Sequence, residues 1–324
     1  MHWTLSVPDN FSLPQIIRRS LNFEQSRLEQ FGLGRFKLEQ FRLLQLPFSV
    51  NRTRERLNRV ERLQSGNTIY LTLSQTAAGL ILHTDERLTG KDTEEISHKT
   101  RRMLRLGENL QPFLDIARRT PGLEKTLHNG AHILRGTTFF EDVIKAIILT
   151  QEEKVQQEQR ITWIVDRFGD PLPSNPTRHA FPIPQQMLWG NDVLSGVFST
   201  DIAAKLIRVA EKFYTEADRI EALTNSVRPA DALAAELGKL FNLEPETLGL
   251  VMLSLGRYDY IPANLCMQQR TRPFNKGQRD ASRDIHTMFE PLQPWGGLAC
   301  WLWDWSSADN ADVNTFAGGA EWRA

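Results

Sequence analysis

The sequence predicts an α+β chain: a small antiparallel-strand N-terminal lobe over residues 1–98, an all-helical region over 99–305, and a flexible tail over 306–324. Three observations carry that expectation. Residues Thr68–Gln75 alternate apolar and polar, and the short apolar run Gly79–Thr84 follows them after three small residues, the pattern of a hairpin with one buried face. From about Thr93 the apolar spacing changes from two residues to the three-and-four repeat of helices. The segment "RGTTFFEDVIKAIILTQ" then combines a capping threonine, Thr138, with an acidic residue three positions on, Glu141, and a stripe of Phe140, Val143, Ile144, Ile147 and Ile148.

The remaining elements follow in order. "PQIIRRSL" fits a short helix, and "GRFKLEQFRLLQLPF" (Gly34–Phe48) is expected to supply a further strand. "NRTRERLNRVERLQ" carries Arg52, Arg54, Arg56, Arg59 and Arg62 diluted by glutamates, and reads as a surface strand or helix face. "EEISHKTRRMLRLG" predicts a helix closed by Gly107, and "ENLQPFLDIARR" opens the next. "FGDPLPSNPTRHAFPIPQQ" reads as a proline-rich connection. Helical patterns resume at "TDIAAKLIRVAEKFYTEA", "ADALAAELGKLF", "PETLGLVMLSLG", "ASRDIHTMF" and "PWGGLACWLWDW".

Composition narrows the function classes. At 324 residues, 40% apolar and 24% charged, the chain has the balance of a globular protein. No run approaches the roughly 18 apolar residues of a membrane span, and the first residues lack a signal-peptide pattern, so a soluble, cytoplasmic protein without membrane contact is expected. Two cysteines, Cys266 and Cys300, exclude a disulfide framework and a cysteine-held cluster within one chain. His128 and His132 lie four apart with no third ligand nearby, so neither a metal site nor a cofactor is expected. Lys plus Arg and Asp plus Glu are equal at 39 each, whereas dedicated nucleic-acid binders carry a basic excess, because phosphate neutralisation supplies most of their affinity.

Four blocks, "RRMLRLGENLQPF", "RGTTFFEDVIKAIILTQ", "LGRYDYIP" and "PWGGLACWLWDW", occur in the order found in the helix-hairpin-helix DNA glycosylase superfamily. The chain resembles its 3-methyladenine glycosylase II and 8-oxoguanine glycosylase branch, from about residue 100 to 305, and the strand-rich lobe suits that branch. The resemblance implies a helix-hairpin-helix glycosylase-like core, and a monomer that engages double-stranded DNA carrying a damaged base or abasic site. It also implies extrusion of the base from the stack and cleavage of its N-glycosidic bond. Cleavage develops positive charge on the sugar, which an aspartate near C1′ stabilises or uses to activate water.

Carried over residue by residue, the resemblance meets several departures. The family's aspartate, two residues after the proline of the "IP" turn, is here Asn264, which at neutral pH has no charge and takes no proton. Asp259 is the nearby carboxylate that would have to replace it, or else a residue of the local turn. The family's glycine-apolar-glycine hairpin, which lays backbone N–H groups against a DNA phosphate, corresponds to Asn242-Leu243-Glu244, and Glu244 puts negative charge where a phosphate would sit. The lysine of the bifunctional branch falls near Glu246, so a lyase step by that lysine is not supported. Gln151 matches a glutamine that would lie beside the opened stack, and Glu152 occupies the position of an apolar wedge.

Two further groups complete the candidates. Trp295, Trp301, Trp303 and Trp305 read as core by their spacing, with Trp303 the candidate for a wall against which a flipped base stacks. Arg270, Arg272, Lys276, Arg279 and Arg283 form a basic run directly after the Asn264 turn, either a backbone-phosphate contact or a solvated loop. The expectation is a base-excision-repair protein with weak or absent cleavage. The alternatives are an active monofunctional glycosylase using Asp259 or another carboxylate, and a non-catalytic adaptor on the same scaffold.

Overall fold

The computed structural model of the chain describes residues 1–9, 11–21, 48–51, 55–123, 131–267 and 281–303. Five strands form an antiparallel sheet in the order β1 (His2–Leu5), β5 (Gly79–His83), β4 (Thr68–Thr76), β3 (Arg56–Arg62) and β2 (Phe48–Asn51). The predicted hairpin is β4–β5, with Thr76 opposite Gly79 and Leu73 opposite Leu82. Alternation places Ile69, Leu71 and Leu73 on one face, where with Leu57, Leu80 and Leu82 they form a buried layer. Helix α1 (Leu13–Leu21) covers it with Leu13 and Ile17, and α2 (Gly90–Leu104) adds Ile96, Met103 and Leu104. Most of the predicted Gly34–Phe48 strand lies outside the described residues, and β2 begins at its last position.

The helical part continues with α3 (Gln111–Ala117), α4 (Phe139–Gln151), α5 (Lys154–Phe168), α6 (Pro184–Leu188), α7 (Asn191–Ser195), α8 (Thr200–Thr215) and α9 (Ala217–Thr224). It closes with α10 (Ala230–Phe241), α11 (Pro245–Leu255), α12 (Ala263–Met267), α13 (Ala281–Phe289) and α14 (Gly296–Leu302). A second hydrophobic core runs through these helices and centres on α4 and α11, which pack against each other. From Phe140 to Leu149 every side chain of α4 is buried, so the helix is central to the protein. The architecture is α+β, as the sequence predicts.

Several local expectations are corrected. The proline-rich connection contains a two-stranded ribbon, β6 (Pro171–Leu172) with β7 (Asn175–His179), so the second region is not wholly helical. Helix α2 ends three residues before Gly107: Arg105 takes the left-handed conformation at φ 55°, and its N–H caps the Arg101 and Arg102 carbonyls. The two cysteines, on α12 and α14, are joined as a Cys266–Cys300 disulfide. Tail residues 304–324, with Trp305, lie outside the described residues, as do Arg52, Arg54 and His128. His132 is buried with its ring edge-on to Phe11.

The largest correction concerns Arg59, predicted on a surface and found fully buried between the sheet and α4. Thr138 does cap α4, accepting from the Glu141 N–H, but the Glu141 carboxylate does not complete the box. It turns to Arg59, accepting from Nη1 at 3.0 Å and Nη2 at 2.6 Å, and to Lys145 at 2.5 Å and the Thr137 N–H at 3.1 Å. Arg59 Nε also donates to Glu61 at 2.5 Å, and Lys99 bridges Glu61 at 3.0 Å and Glu95 at 2.8 Å. Three cations therefore meet three carboxylates across the joint between the sheet and the helices.

Burial alone pushes the Glu141 carboxyl up, but Arg59 and Lys145 outweigh it and hold it at about 2. Glu141 therefore contributes stability that is fully present above the unfolded-chain value of 4.5 and is lost as pH falls towards about 2. Removing one member strands the other charges in the interior, at a cost of about 3–5 kcal/mol. Glu141→Gln is expected to lower the urea unfolding free energy by that amount at neutral pH. Its deficit against wild type should shrink as pH falls from about 4.5 to 2. A deficit under about 1 kcal/mol at pH 7, or one independent of pH, is incompatible with this network.

Candidate functional site

Three inter-helix turns bring the candidate residues into the structure. The first is the step from α4 to α5 at Glu152 and Glu153, and the second is Asn242-Leu243-Glu244 between α10 and α11. The third, Gly256–Pro262, leads from α11 into α12 and Asn264. In the second turn, α10 ends where Asn242 adopts the left-handed conformation (φ 55°, ψ 56°), a role asparagine tolerates well. Leu243 packs partly buried against the core, and Glu244 stands at the N-cap position of α11 without a side-chain capping bond, with Pro245 at the first helical position.

Glu244 does not stand alone. Its carboxylate accepts from Lys205 of α8 and from the side-chain amide of Gln151 at the end of α4. Lys205 also donates to Asp201 at 2.6 Å and to the Gln151 side-chain oxygen at 3.2 Å. Burial works against the Lys205 ammonium, but its bonds to Asp201 and Glu244 prevail and raise its pKa. Beside this cluster the Thr150 and Thr247 hydroxyls meet at 2.6 Å, joining the end of α4 to the start of α11. The first two turns are thus one connected surface. Lys205 went unread in the sequence because its partners lie 39 and 54 positions away.

Glu152, which the resemblance would put at the wedge position, turns back towards Arg160, with Nε and the carboxylate 3.8 Å apart. The exposed apolar side chain at this corner is instead Val155, 79% exposed in the first turn of α5.

The third turn is held from several sides. Arg105, fully buried, donates to the Leu253 carbonyl at 2.6 Å and the Ser254 carbonyl at 2.9 Å, satisfying the open end of α11, and also to Ile133 and Glu108. Arg135 adds a bond to Ser254 at 3.0 Å, and burial, with Arg105 and Arg102 alongside, brings its guanidinium down to about 10. Gly256 then reverses the chain at φ 78°. Tyr258 is buried, donates to Glu108 at 2.8 Å, stacks on Trp295 and lies under the Arg105 guanidinium. Its carbonyl accepts the Gly297 N–H of α14 at 2.7 Å.

Asp259 lies in this turn with both carboxylate oxygens on Arg257, at 2.9 and 2.7 Å, and Arg257 reaches on to the Arg228 carbonyl at 2.8 Å. Asn264 follows in the first turn of α12, half-buried. Trp303 is buried edge-on against Phe289. The basic run Arg270, Arg272, Lys276 and Arg279 lies outside the described residues. Among the described residues, no group of three or more His, Cys, Asp or Glu is placed to hold a metal ion, and no helix is long and apolar enough to cross a membrane.

With the geometry in place, comparison with solved structures is decisive for the fold. The 3-methyladenine DNA glycosylase of Archaeoglobus fulgidus superposes with a TM-score of 0.64, at 17% identity over 93% of this chain and 96% of that one. The chain has the DNA glycosylase fold. The 8-oxoguanine glycosylase/lyase of Clostridium acetobutylicum shares it, with a TM-score of 0.55 at 18% identity, over 75% of this chain and 87% of that one. The same enzyme in complex with double-stranded DNA containing cytosine opposite 8-oxoguanine gives 0.56 at 17% identity, over 75% and 86%. No family model matches the sequence, and no curated protein matches it.

Within the glycosylase fold, the position of Asn264 depends on a close approach of helices. A Cβ added to Gly249 of α11 would lie 2.8 Å from the Pro262 Cβ, so α12 is seated where only glycine fits beneath it. Gly249→Ala is expected to cost roughly 1–3 kcal/mol by overpacking. A thermal melt unchanged by that substitution would show that α12 is not held by this contact.

Proposed function

We propose that the chain engages damaged or abasic duplex DNA through the surface formed by the α4–α5 and α10–α11 turns, and cleaves the N-glycosidic bond weakly or not at all. The observation that carries this reading is Asn264, an uncharged amide in the first turn of α12, with the neighbouring Asp259 committed to Arg257. An amide leaves the sugar cation of the transition state without a counter-charge, and the loss of even one neutral oxyanion donor costs roughly 3 kcal/mol, a hundredfold in rate. For Asp259 to serve as base or electrostatic partner it would have to surrender a bidentate ion pair. That favours the weak-cleavage reading over an active enzyme working through Asp259.

The non-catalytic adaptor drew support from balanced net charge and from Glu244. Glu244 loses part of that force because Lys205 of α8 pairs with it, sharing its charge between Glu244 and Asp201. On this reading Val155, rather than Glu152, is the apolar side chain beside an opened base stack. Gln151 is held towards the hairpin by Glu244 and Lys205.

An abasic-site duplex is the first probe. Binding should weaken with salt, with a log–log slope of about −0.9 per phosphate contacted. Lys205→Met should reduce affinity, since it bares Glu244 and Asp201. A protein with no salt-dependent binding is an adaptor, and the proposal fails. Base release from alkylated, deaminated and oxidised duplexes then separates the remaining readings. Wild type should be slow and Asn264→Asp should gain about a hundredfold. Wild-type release at ordinary repair-enzyme speed, insensitive to position 264, would establish an active glycosylase instead.

A further inference from the structure

Asn264 sits between two tethers to the same helix. On one side the Tyr258 carbonyl accepts the Gly297 N–H of α14, and on the other Cys266 is bonded to Cys300 of α14. The cysteine Cα atoms are 6.4 Å apart, within the span of about 4.4–6.8 Å that a disulfide bridges, and both side chains are fully buried. The two positions are 34 residues apart in sequence, and α12 has only five residues, so it has little helical cooperativity of its own to hold its place.

We propose that Cys266 and Cys300 are a reversible dithiol–disulfide couple, a redox modification site whose state sets how firmly the turn carrying Asn264 is held. Oxidation requires a small-molecule disulfide as acceptor. One cysteine thiolate attacks a sulfur of that disulfide, forming a mixed disulfide and expelling one small thiolate. The second cysteine thiolate then attacks the protein-bound sulfur, forming the Cys266–Cys300 bond and expelling the other. Two electrons pass from the protein thiols to the external disulfide, whose leaving thiolates take up the two protons. Since neither sulfur is exposed, exchange proceeds through local opening of α12 or α14. Reduction removes one tether and leaves the Tyr258–Gly297 bond, so the second half of the turn loosens while the first is kept.

The inference is independent of whether the chain binds DNA, and its test uses neither DNA nor activity. The full chain is equilibrated in buffers of graded thiol-to-disulfide ratio, quenched in acid, denatured and alkylated with N-ethylmaleimide. Mass spectrometry should show two alkyl groups lost together as the buffer becomes oxidising. Hydrogen exchange in the same samples should be about tenfold or more faster at residues 263–267 in the reduced form, with the β4–β5 amides unchanged. Cys300→Ala should exchange at the reduced rate in every buffer. If that variant misfolds, the wild type read in both states gives the same comparison. Cysteines that remain fully alkylated under oxidising conditions, or exchange at 263–267 that is the same in both states, would overturn the proposal.

Discussion

The rest of the structure hangs on the buried joint between Arg59 of β3 and Glu141 of α4. A charged pair in an apolar interior is tolerable only when every donor and acceptor is matched. Here Thr137, Glu61, Lys99 and Lys145 do the matching. The joint fixes the sheet against the first turn of α4. The same helix runs ten residues on, about 15 Å at the α-helical rise, to present Gln151 to the hairpin turn. The strand lobe therefore does not merely precede the helical region: it locates the helix whose far end meets Glu244 and Thr247.

Much of this was legible from residue spacing. The β4–β5 alternation and the helices at residues 200–215, 230–241 and 245–255 all emerged close to their observed bounds, because each is written in local periodicity and capping chemistry. The fold itself followed from the order of four blocks, none specific alone. What escaped notice was long-range. Arg59 reads as a solvated charge in a strand with three arginines and one glutamate, and only the partner 82 residues later makes it interior. Lys205 likewise looks like the solvent face of an amphipathic helix until Glu244 is placed beside it.

The helix ends show the same limit. Arginine at φ 55° breaks the usual preference for glycine, and Gly107 two residues later was the natural candidate for that role. The guanidinium explains the choice, because a glycine at position 105 would have no side chain to donate to the Leu253 and Ser254 carbonyls. The cysteine pair was missed because two cysteines far apart in sequence carry no signal of proximity. At Asn264 the letter alone carries the chemical argument, while the setting of Asp259 on Arg257 needed coordinates.

Arg105 has an implication for how separable the hairpin is. The last turn of α2, the irregular segment at Ile133 and the end of α11 all converge on this one side chain, although the turn at Asn242–Glu244 begins more than a hundred residues downstream. The two helices around Asn242–Glu244 look like a portable cassette in the sequence, yet one end of α11 is finished by a residue from elsewhere. Transplanted to another scaffold without α2, that unit would lose the Arg105 bonds to its Leu253 and Ser254 carbonyls and would fray from the end nearest Asn264.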